Sequence, residues 1–179
     1  MMKAFYKLAI GLGANLGDRA AQLAAAREAL RQQVGEIVGE SSIYQTAPWG
    51  DSQDEAQQDY LNQVVVLSTG LTPEEALQKC LSIEIALGRD RSAEKNMDAK
   101  NKGYAPRTID IDLLLREDYI IDSGDLCLPH PRLHLRQFVL QPLAEIVPTA
   151  KHPIFKTTVA ELLLQCKDDT EVQKYASGK

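Results

Sequence analysis

Tyr60-Leu-Asn-Gln-Val-Val-Val-Leu-Ser-Thr69, followed almost at once by Thr72-Pro73-Glu74-Glu75, sets the frame for the chain. The first stretch is rich in β-branched residues and reads as a strand. The second is a capping box with proline at the first helical position, so a helix starts there. That helix runs to Gly88, a natural C-terminal cap. Ala76, Leu77, Cys80 and Leu87 make its apolar stripe, with Glu84 in the middle. Upstream, Leu8, Ile10 and Leu12 alternate with Ala9, Gly11 and Gly13, which predicts a strand with one face of small residues. Asp18 to Val34 reads as a helix with Ala20, Leu23, Leu30 and Val34 on one face, although Arg27 interrupts it. Ile37 to Thr46 is a second strand, and Ala47 to Asp59 is a polar loop marked by proline and glycine. Downstream come a strand over Thr108–Leu115, extended pieces at Ile120-Ile121 and Leu126–Leu128, and helical pieces from Leu133 on. Residues 171–179 read as a frayed tail.

The order is βαββαβ with a C-terminal extension. It predicts an α+β, ferredoxin-like, mainly antiparallel sheet with helices packed on one face. With 179 residues, the chain fits a single domain over 1–179. Its formal net charge of -5 argues against nucleic-acid binding, where affinity comes largely from basic residues on phosphates. Three cysteines without a CxxC pair suggest neither a disulfide framework nor a zinc site. The N-terminus carries no apolar leader, and no run is long enough to span a membrane, so a cytoplasmic protein is expected.

Arg107-Thr108-Ile109-Asp110-Ile111-Asp112-Leu113 is the sharpest chemical feature. Alternation along a strand turns Ile109, Ile111, Leu113 and Leu115 to the core. Asp110 and Asp112 then share the other face, roughly 6.5–7 Å apart at Cα. Two such carboxylates suit Mg²⁺, which is held by one or two carboxylates plus substrate phosphates. A solvated outer face of an edge strand fits the same pattern. Between Arg89 and Arg107 six basic residues stand against three acidic ones, in a long segment without periodicity. That reads as a lid over phosphates or as a merely solvated loop. Glu84, on an apolar stripe, must be paired or must look into a cleft. Tyr60 and Asn62 share a face; with Trp49 and Phe138 they form either a slot for a flat heterocycle or ordinary core. Gly11-Leu-Gly-Ala-Asn-Leu-Gly17 follows a strand as a dinucleotide fingerprint does, but its third glycine falls one place too late.

In this order the blocks IGLGANLGDR, SSIYQTAPWG, DYLNQVVVL, IEIALGRDR, APRTIDIDLLL and LPHPRLHLRQFVLQPLAEI resemble the 6-hydroxymethyl-7,8-dihydropterin pyrophosphokinases over Ile10 to Pro153. The resemblance implies transfer of diphosphate from ATP to the pterin's hydroxymethyl group, giving AMP, in folate biosynthesis. It implies two Mg²⁺ ions on Asp110 and Asp112. Arg89 and Arg107 match phosphate-contacting arginines, and Arg91 a lid arginine. Glu84, His130, Arg136 and the backbone at Leu113 match further nucleotide positions. Tyr60 and Phe138 match a stacking pair around the pterin, with Asn62, Thr46, Pro48 and Trp49 at its edge. Three positions depart from the pattern: Trp49 replaces a smaller apolar residue, Pro131 an aromatic and Asp125 a lysine. The implied partners are ATP and the dihydropterin, bound by a monomer without nucleic acid or membrane. A non-catalytic module on the same sheet would lack this chemistry, whereas aspartates, arginines and aromatics occur together here.

Overall fold

The computed structural model describes residues 5–47, 58–89 and 107–176. β1 (Tyr6–Ala14) leads to α1 (Arg19–Gln33), β2 (Glu36–Glu40), β3 (Tyr44–Thr46), β4 (Tyr60–Thr69) and α2 (Pro73–Ala86). β5 (Asp110–Leu115), β6 (Ile121–Asp122) and β7 (Cys127–Leu128) follow, then a 3-10 turn at Leu133–Leu135. α3 (Gln137–Ile146), α4 (Val159–Gln165) and β8 (Gln173–Lys174) complete the order. β5, β1, β4, β3 and β8 lie side by side, with β2 also on β4; every pairing is antiparallel, and β6 and β7 form a separate hairpin. The ferredoxin-like order is therefore present.

The expected second strand is split into β2 and β3 at Ser41. The Ser41 amide donates to the Val64 carbonyl, and its hydroxyl accepts the Val64 N–H at 3.0 Å. A side chain thus stands in for one rung of the ladder while the strand bends. The turn from α1 into β2 needs Gly35, where a Cβ would collide with the Ser68 carbonyl oxygen. α1 is capped by Asp18, which accepts the Ala21 N–H at 3.0 Å. Arg27, the misfit on its face, reaches over to Gln63 and Glu40. α2 has the expected reciprocal Thr72–Glu75 capping box.

Alternation divides the core in two. Leu8, Ile10 and Leu12, with Leu61, Val65 and Leu67, pack under α1 and α2. Ala9, Val64 and Val66 face the other way, against Leu133, Val139, Leu140, Leu143, Val159 and Leu162. Helices therefore cover both faces, not one as the βαββαβ order alone suggests. The reason is amphipathic: α3 carries Val139, Leu140 and Leu143, which must be buried, and the second face is where the chain can bury them. β5 corrects a second detail. Ile109, Ile111 and Leu113 join the α1–α2 core, but a register shift opposite Ala9 and Ile10 sends Leu115 to the other one. Such a bulge breaks the strict period of two.

The C-terminal segment corrects the expectation of a frayed tail over 171–179. Tyr44 pairs with Lys174 and Gln45 with Gln173, and the Tyr175 N–H donates to the Ile43 carbonyl at 2.8 Å. Residues 177–179 lie outside the described residues. Glu145 of α3 fastens this edge. It accepts the Ser42 N–H (2.9 Å), the Ser42 hydroxyl (2.7 Å), the Tyr44 hydroxyl (2.9 Å) and the Lys174 ammonium (3.2 Å). Partial burial opposes its charge, but hydrogen bonds from Ser42, Tyr44 and Lys174 bring its pKa down to about 2. A depressed carboxylate stabilises the fold above its unfolded pKa, and that contribution fades as pH falls toward the folded value. Glu145→Gln should lower Tm by about 2–5 °C at pH 7. The difference should shrink as pH falls from about 5 toward 2. Calorimetry across that range checks it, and a pH-independent difference would refute the charge account.

Candidate functional site

Above the second face, between β1, β4, β5 and α3, lies an open cleft lined by charged, amide and aromatic side chains. Its floor is the small-residue face of β1. A Cβ at Gly11 would come within 3.3 Å of Leu114, and one at Gly13 within 3.4 Å of Asn62 Oδ1. Larger residues there would fill the cleft. The glycines are thus spatial requirements of the site and not a dinucleotide loop.

One end of the cleft is ionic. β5 presents Asp110 and Asp112 to it, with Arg107 just before the strand. The Arg89 Nη1 lies 2.5 Å from Asp110 Oδ1, and Arg107 Nη1 lies 2.8 Å from Asp110 Oδ2. Arg89 in turn meets Glu84 Oε1 at 2.6 Å, and that oxygen also accepts the Ile111 N–H at 2.8 Å. Glu84 is 0% exposed and Arg89 7%. Glu84 is therefore paired beneath the cleft. Arg89 likewise stands behind Asp110 and is not among the residues that line the opening. Burial would raise the Asp110 pKa, but the charges of Arg107 and Arg89 and their hydrogen bonds hold it below the ordinary carboxylate range. Asp112 goes the other way. Burial, then the negative charges of Asp110 and Glu84, push its pKa up against the pull of Arg136 and Arg107.

That difference is a test of whether a cation fits. Asp110 is already compensated by two guanidiniums, while Asp112 carries a charge its surroundings resist. A hard divalent ion would relieve this repulsion. Among the described residues no group of three or more His, Cys, Asp or Glu could hold a metal by itself. An ion here would complete its shell with water and substrate oxygens, the usual situation for Mg²⁺.

The other end is aromatic and amide-lined. Tyr60 and Asn62 of β4, Thr46 of β3 and Phe138 of α3 line it together. Asn62 Nδ2 donates to the Thr46 hydroxyl at 3.0 Å, which fixes both groups on the wall. Arg136 and His130 line the same cleft. The Arg136 guanidinium lies 5.5 Å from the Phe138 ring centroid, a cation–π distance. Burial and the charges of Arg136 and Arg132 bring the His130 pKa down to about 4, so it is neutral at pH 7. Its Nδ1 accepts the Arg132 N–H at 3.1 Å, which leaves Nε2 with the proton. Leu113 turns its side chain to the opposite core, and Leu114 lines the cleft instead. Pro48, Trp49, Arg91 and the expected lid over 90–106 lie outside the described residues.

Asn15, which the sequence reading passed over, is completely buried at the end of β1. Its Oδ1 accepts the Arg107 N–H at 2.7 Å and its own N–H donates to the Arg107 carbonyl at 3.2 Å. This two-point contact sets the backbone from which Arg107 reaches Asp110. A polar residue inside the first block, immediately after an apolar strand, was the available signal.

Comparison with known proteins supplies an independent finding. The sequence model of the 7,8-dihydro-6-hydroxymethylpterin-pyrophosphokinase family matches residues 9–148. A 2-amino-4-hydroxy-6-hydroxymethyldihydropteridine pyrophosphokinase of Methylorubrum extorquens is 45% identical over 140 residues, covering 78% of this chain and 81% of the relative. One of the same name from Aquifex aeolicus is 37% identical over 152 residues, covering 85% and 87%. Among solved structures, a Plasmodium falciparum HPPK-DHPS with pterin and p-hydroxybenzoate superposes with TM-score 0.68 at 15% identity. That match covers 92% of this chain, which spans 44% of the other. At such identity the likeness is one of fold.

The two aspartates should separate in metal-free stability measurements. A carboxyl whose folded pKa is raised loses stability as pH rises from its unfolded value through the folded one. Asp112→Asn should therefore raise Tm by about 2–4 °C at neutral pH and leave it unchanged near about pH 4. Asp110→Asn should lower Tm, because it leaves Arg89 short of a buried partner. Melting curves with chelator, from pH 4 to 8, measure both, and equal shifts for the two variants would contradict the assigned roles.

Proposed function

Because the chain belongs to the 7,8-dihydro-6-hydroxymethylpterin-pyrophosphokinase family, we infer that it transfers diphosphate from ATP to the hydroxymethyl group of 6-hydroxymethyl-7,8-dihydropterin in folate biosynthesis. The enzyme is a diphosphotransferase, with ATP as its co-substrate. The observation that carries the residue assignment is the two-ended cleft: a carboxylate pair with arginines at one end, aromatics and an amide at the other.

The flat pterin takes the aromatic end. Tyr60 and Phe138 contribute stacking surface, and Asn62 and Thr46 meet its polar edge. Pro48 and Trp49 are assigned to the same edge by resemblance alone. ATP takes the ionic end, with its phosphates toward Arg107, Arg136 and the neutral Nε2–H of His130, and its base near the backbone at Leu113 and Leu114. Arg91 is assigned to the phosphates by resemblance alone. Arg89 contributes its charge from behind Asp110, and Glu84 holds Arg89.

Asp110 and Asp112 would hold Mg²⁺, in our reading two ions, and the metal would supply charge neutralisation on the phosphates. In the reaction the hydroxymethyl oxygen forms a bond to the β-phosphorus. The bond from that phosphorus to the oxygen bridging it to the α-phosphorus breaks, and AMP leaves with that oxygen. The hydroxyl proton passes to water. Such transfers depend chiefly on positioning and charge stabilisation. The chain's part is to hold the hydroxyl and phosphorus in line, and to aim Arg107 and Arg136 at the charge that develops. We further propose that the protein acts as a cytoplasmic monomer; no helix among the described residues is long and apolar enough to cross a membrane.

Incubation with ATP, Mg²⁺ and the dihydropterin should release AMP in step with pterin diphosphate. AMP release only with a different alcohol would reassign the acceptor, and no turnover would leave a binding module. Asp110→Asn and Asp112→Asn should each lower turnover by about two orders of magnitude or more at saturating Mg²⁺. Near-normal rates in either variant would remove that residue from the metal site. Tyr60→Ala and Phe138→Ala should weaken pterin binding by about 1–3 kcal/mol while sparing ATP. Calorimetry with each ligand alone decides this, and equal losses for both would make the aromatics structural.

A further inference from the structure

Two of the cleft's side chains sit at the start of one helix. Arg136 is the N-cap residue of α3 and Phe138 lies in its first turn. The first amides of a helix lack intrahelical partners and need an acceptor from elsewhere. Arg136 makes no side-chain capping bond. The acceptor is Asp168, from the segment after α4: its Oδ2 takes the Gln137 N–H at 2.8 Å. Its other oxygen is braced within the segment, accepting the Thr170 N–H at 3.1 Å and the Thr170 hydroxyl at 2.5 Å.

The segment itself is tied at both ends. α4 packs into the second core through Val159 and Leu162, and β8 pairs with β3. Asp168 thus presents a fixed carboxylate to a helix N-terminus, where a negative charge is favoured. Partial burial works against that charge, while the Thr170 hydroxyl, the Gln137 and Thr170 amides and Arg136 keep the pKa below the ordinary range. Arg136 also lines the cleft, where its guanidinium lies 5.5 Å from the Phe138 ring centroid. Arg136 stands between the C-terminal strap and the cleft.

We propose that Asp168 is a positioning residue of the active site: by capping α3 from outside the helix it fixes Arg136 and Phe138 on the nucleotide and pterin sides of the cleft. Residue 168 lies beyond residues 9–148, the stretch matched by the family's sequence model. The proposal rests on the activity reading above for its substrates, and on the geometry alone for the cap.

The test uses the full chain with Asp168→Ala, Asp168→Asn, and Asp168→Ala combined with Arg136→Ala. Losing a cap is a small effect, so KM for the dihydropterin and Kd for a non-hydrolysable ATP analogue with Mg²⁺ should each rise about three- to tenfold in Asp168→Ala. The kcat should change less than about threefold, because no reacting atom is touched. Asp168→Asn keeps an oxygen for the Gln137 N–H and should recover most of both affinities. In the Arg136→Ala background, Asp168→Ala should have little further effect on the nucleotide. Unchanged substrate constants in Asp168→Ala, an asparagine variant as poor as alanine, or additive nucleotide losses would each overturn the proposal. If alanine prevents folding, the asparagine variant alone carries the comparison. An inactive wild-type protein would defeat the activity reading instead. The cap would then be judged by amide exchange at Gln137 and Phe138, faster in Asp168→Ala if it holds and unchanged if it does not.

Discussion

The Asp110 carboxylate, gripped on both oxygens by Arg89 and Arg107, is the contact on which the ionic end of the molecule depends. Behind it stands Glu84, completely buried. A carboxylate in that place is tolerable only when it is paired and hydrogen-bonded, as here by Arg89 and the Ile111 N–H. Negative and positive groups then alternate from Glu84 through Arg89 and Asp110 to Arg107. The chain of charges joins α2 to β5 and, through the Asn15–Arg107 contact, to the end of β1. It also leaves one group out. Asp112 faces the cleft without a comparable partner, so the unrelieved negative charge is concentrated where a cation and the phosphates it accompanies would bind.

The sheet makes this charge usable by leaving room in front of it. Along β1 the residues turned to α1 and α2 are Leu8, Ile10 and Leu12, while those turned the other way are Ala9, Gly11 and Gly13. The asymmetry is a division of labour within one strand: one face buries apolar area, and the other gives up packing to leave space. β4 repeats it. Leu61, Val65 and Leu67 fill the first core, and Tyr60 and Asn62 share the opposite face with Val64 and Val66. That face changes from core to cleft within a few residues of β4. β5 does a similar thing at Leu114, which shares the face of Asp110 and Asp112 and whose side chain both meets Gly11 and walls the cleft.

Much of this was legible in the sequence because it is local. Strand alternation placed Asp110 with Asp112 and Tyr60 with Asn62, and the Thr72–Glu75 capping box and small-residue face needed only a few neighbouring positions. What escaped depends on pairings distant in the chain. Glu84 announced that it needed a partner but not that Arg89 was that partner. The second helical layer follows from where α3 and α4 can bury leucines and valines, which a βαββαβ string does not state. The tail looked frayed because Gln173-Lys174 has no strand signature; its order comes from an edge already made by β3 and from Glu145. The bulge at Leu114 has no sequence mark at all, since leucine suits either face.

The distribution of fixed contacts bears on how the site can be both exact and accessible. Gln45 and Asp59 neighbour the lining residues Thr46 and Tyr60, Arg107 lines the cleft itself, and Arg89 grips Asp110. Each of these positions is tied down. Asp59 accepts from Gln45 at 2.5 Å through its carboxylate and from Arg19 at 2.5 Å through its carbonyl, so the strands on either side of 48–57 are cross-braced. Arg89 is locked by Glu84 and Asp110, and Arg107 by Asn15 and Asp110. This bracing keeps the carboxylates, Arg107 and the Thr46–Asn62 pair in register, because a site built on helices and strands holds geometry better than one built on loops. The C-terminal strap extends the same logic to the remaining wall, where the short α3 would otherwise begin with an unsatisfied first turn.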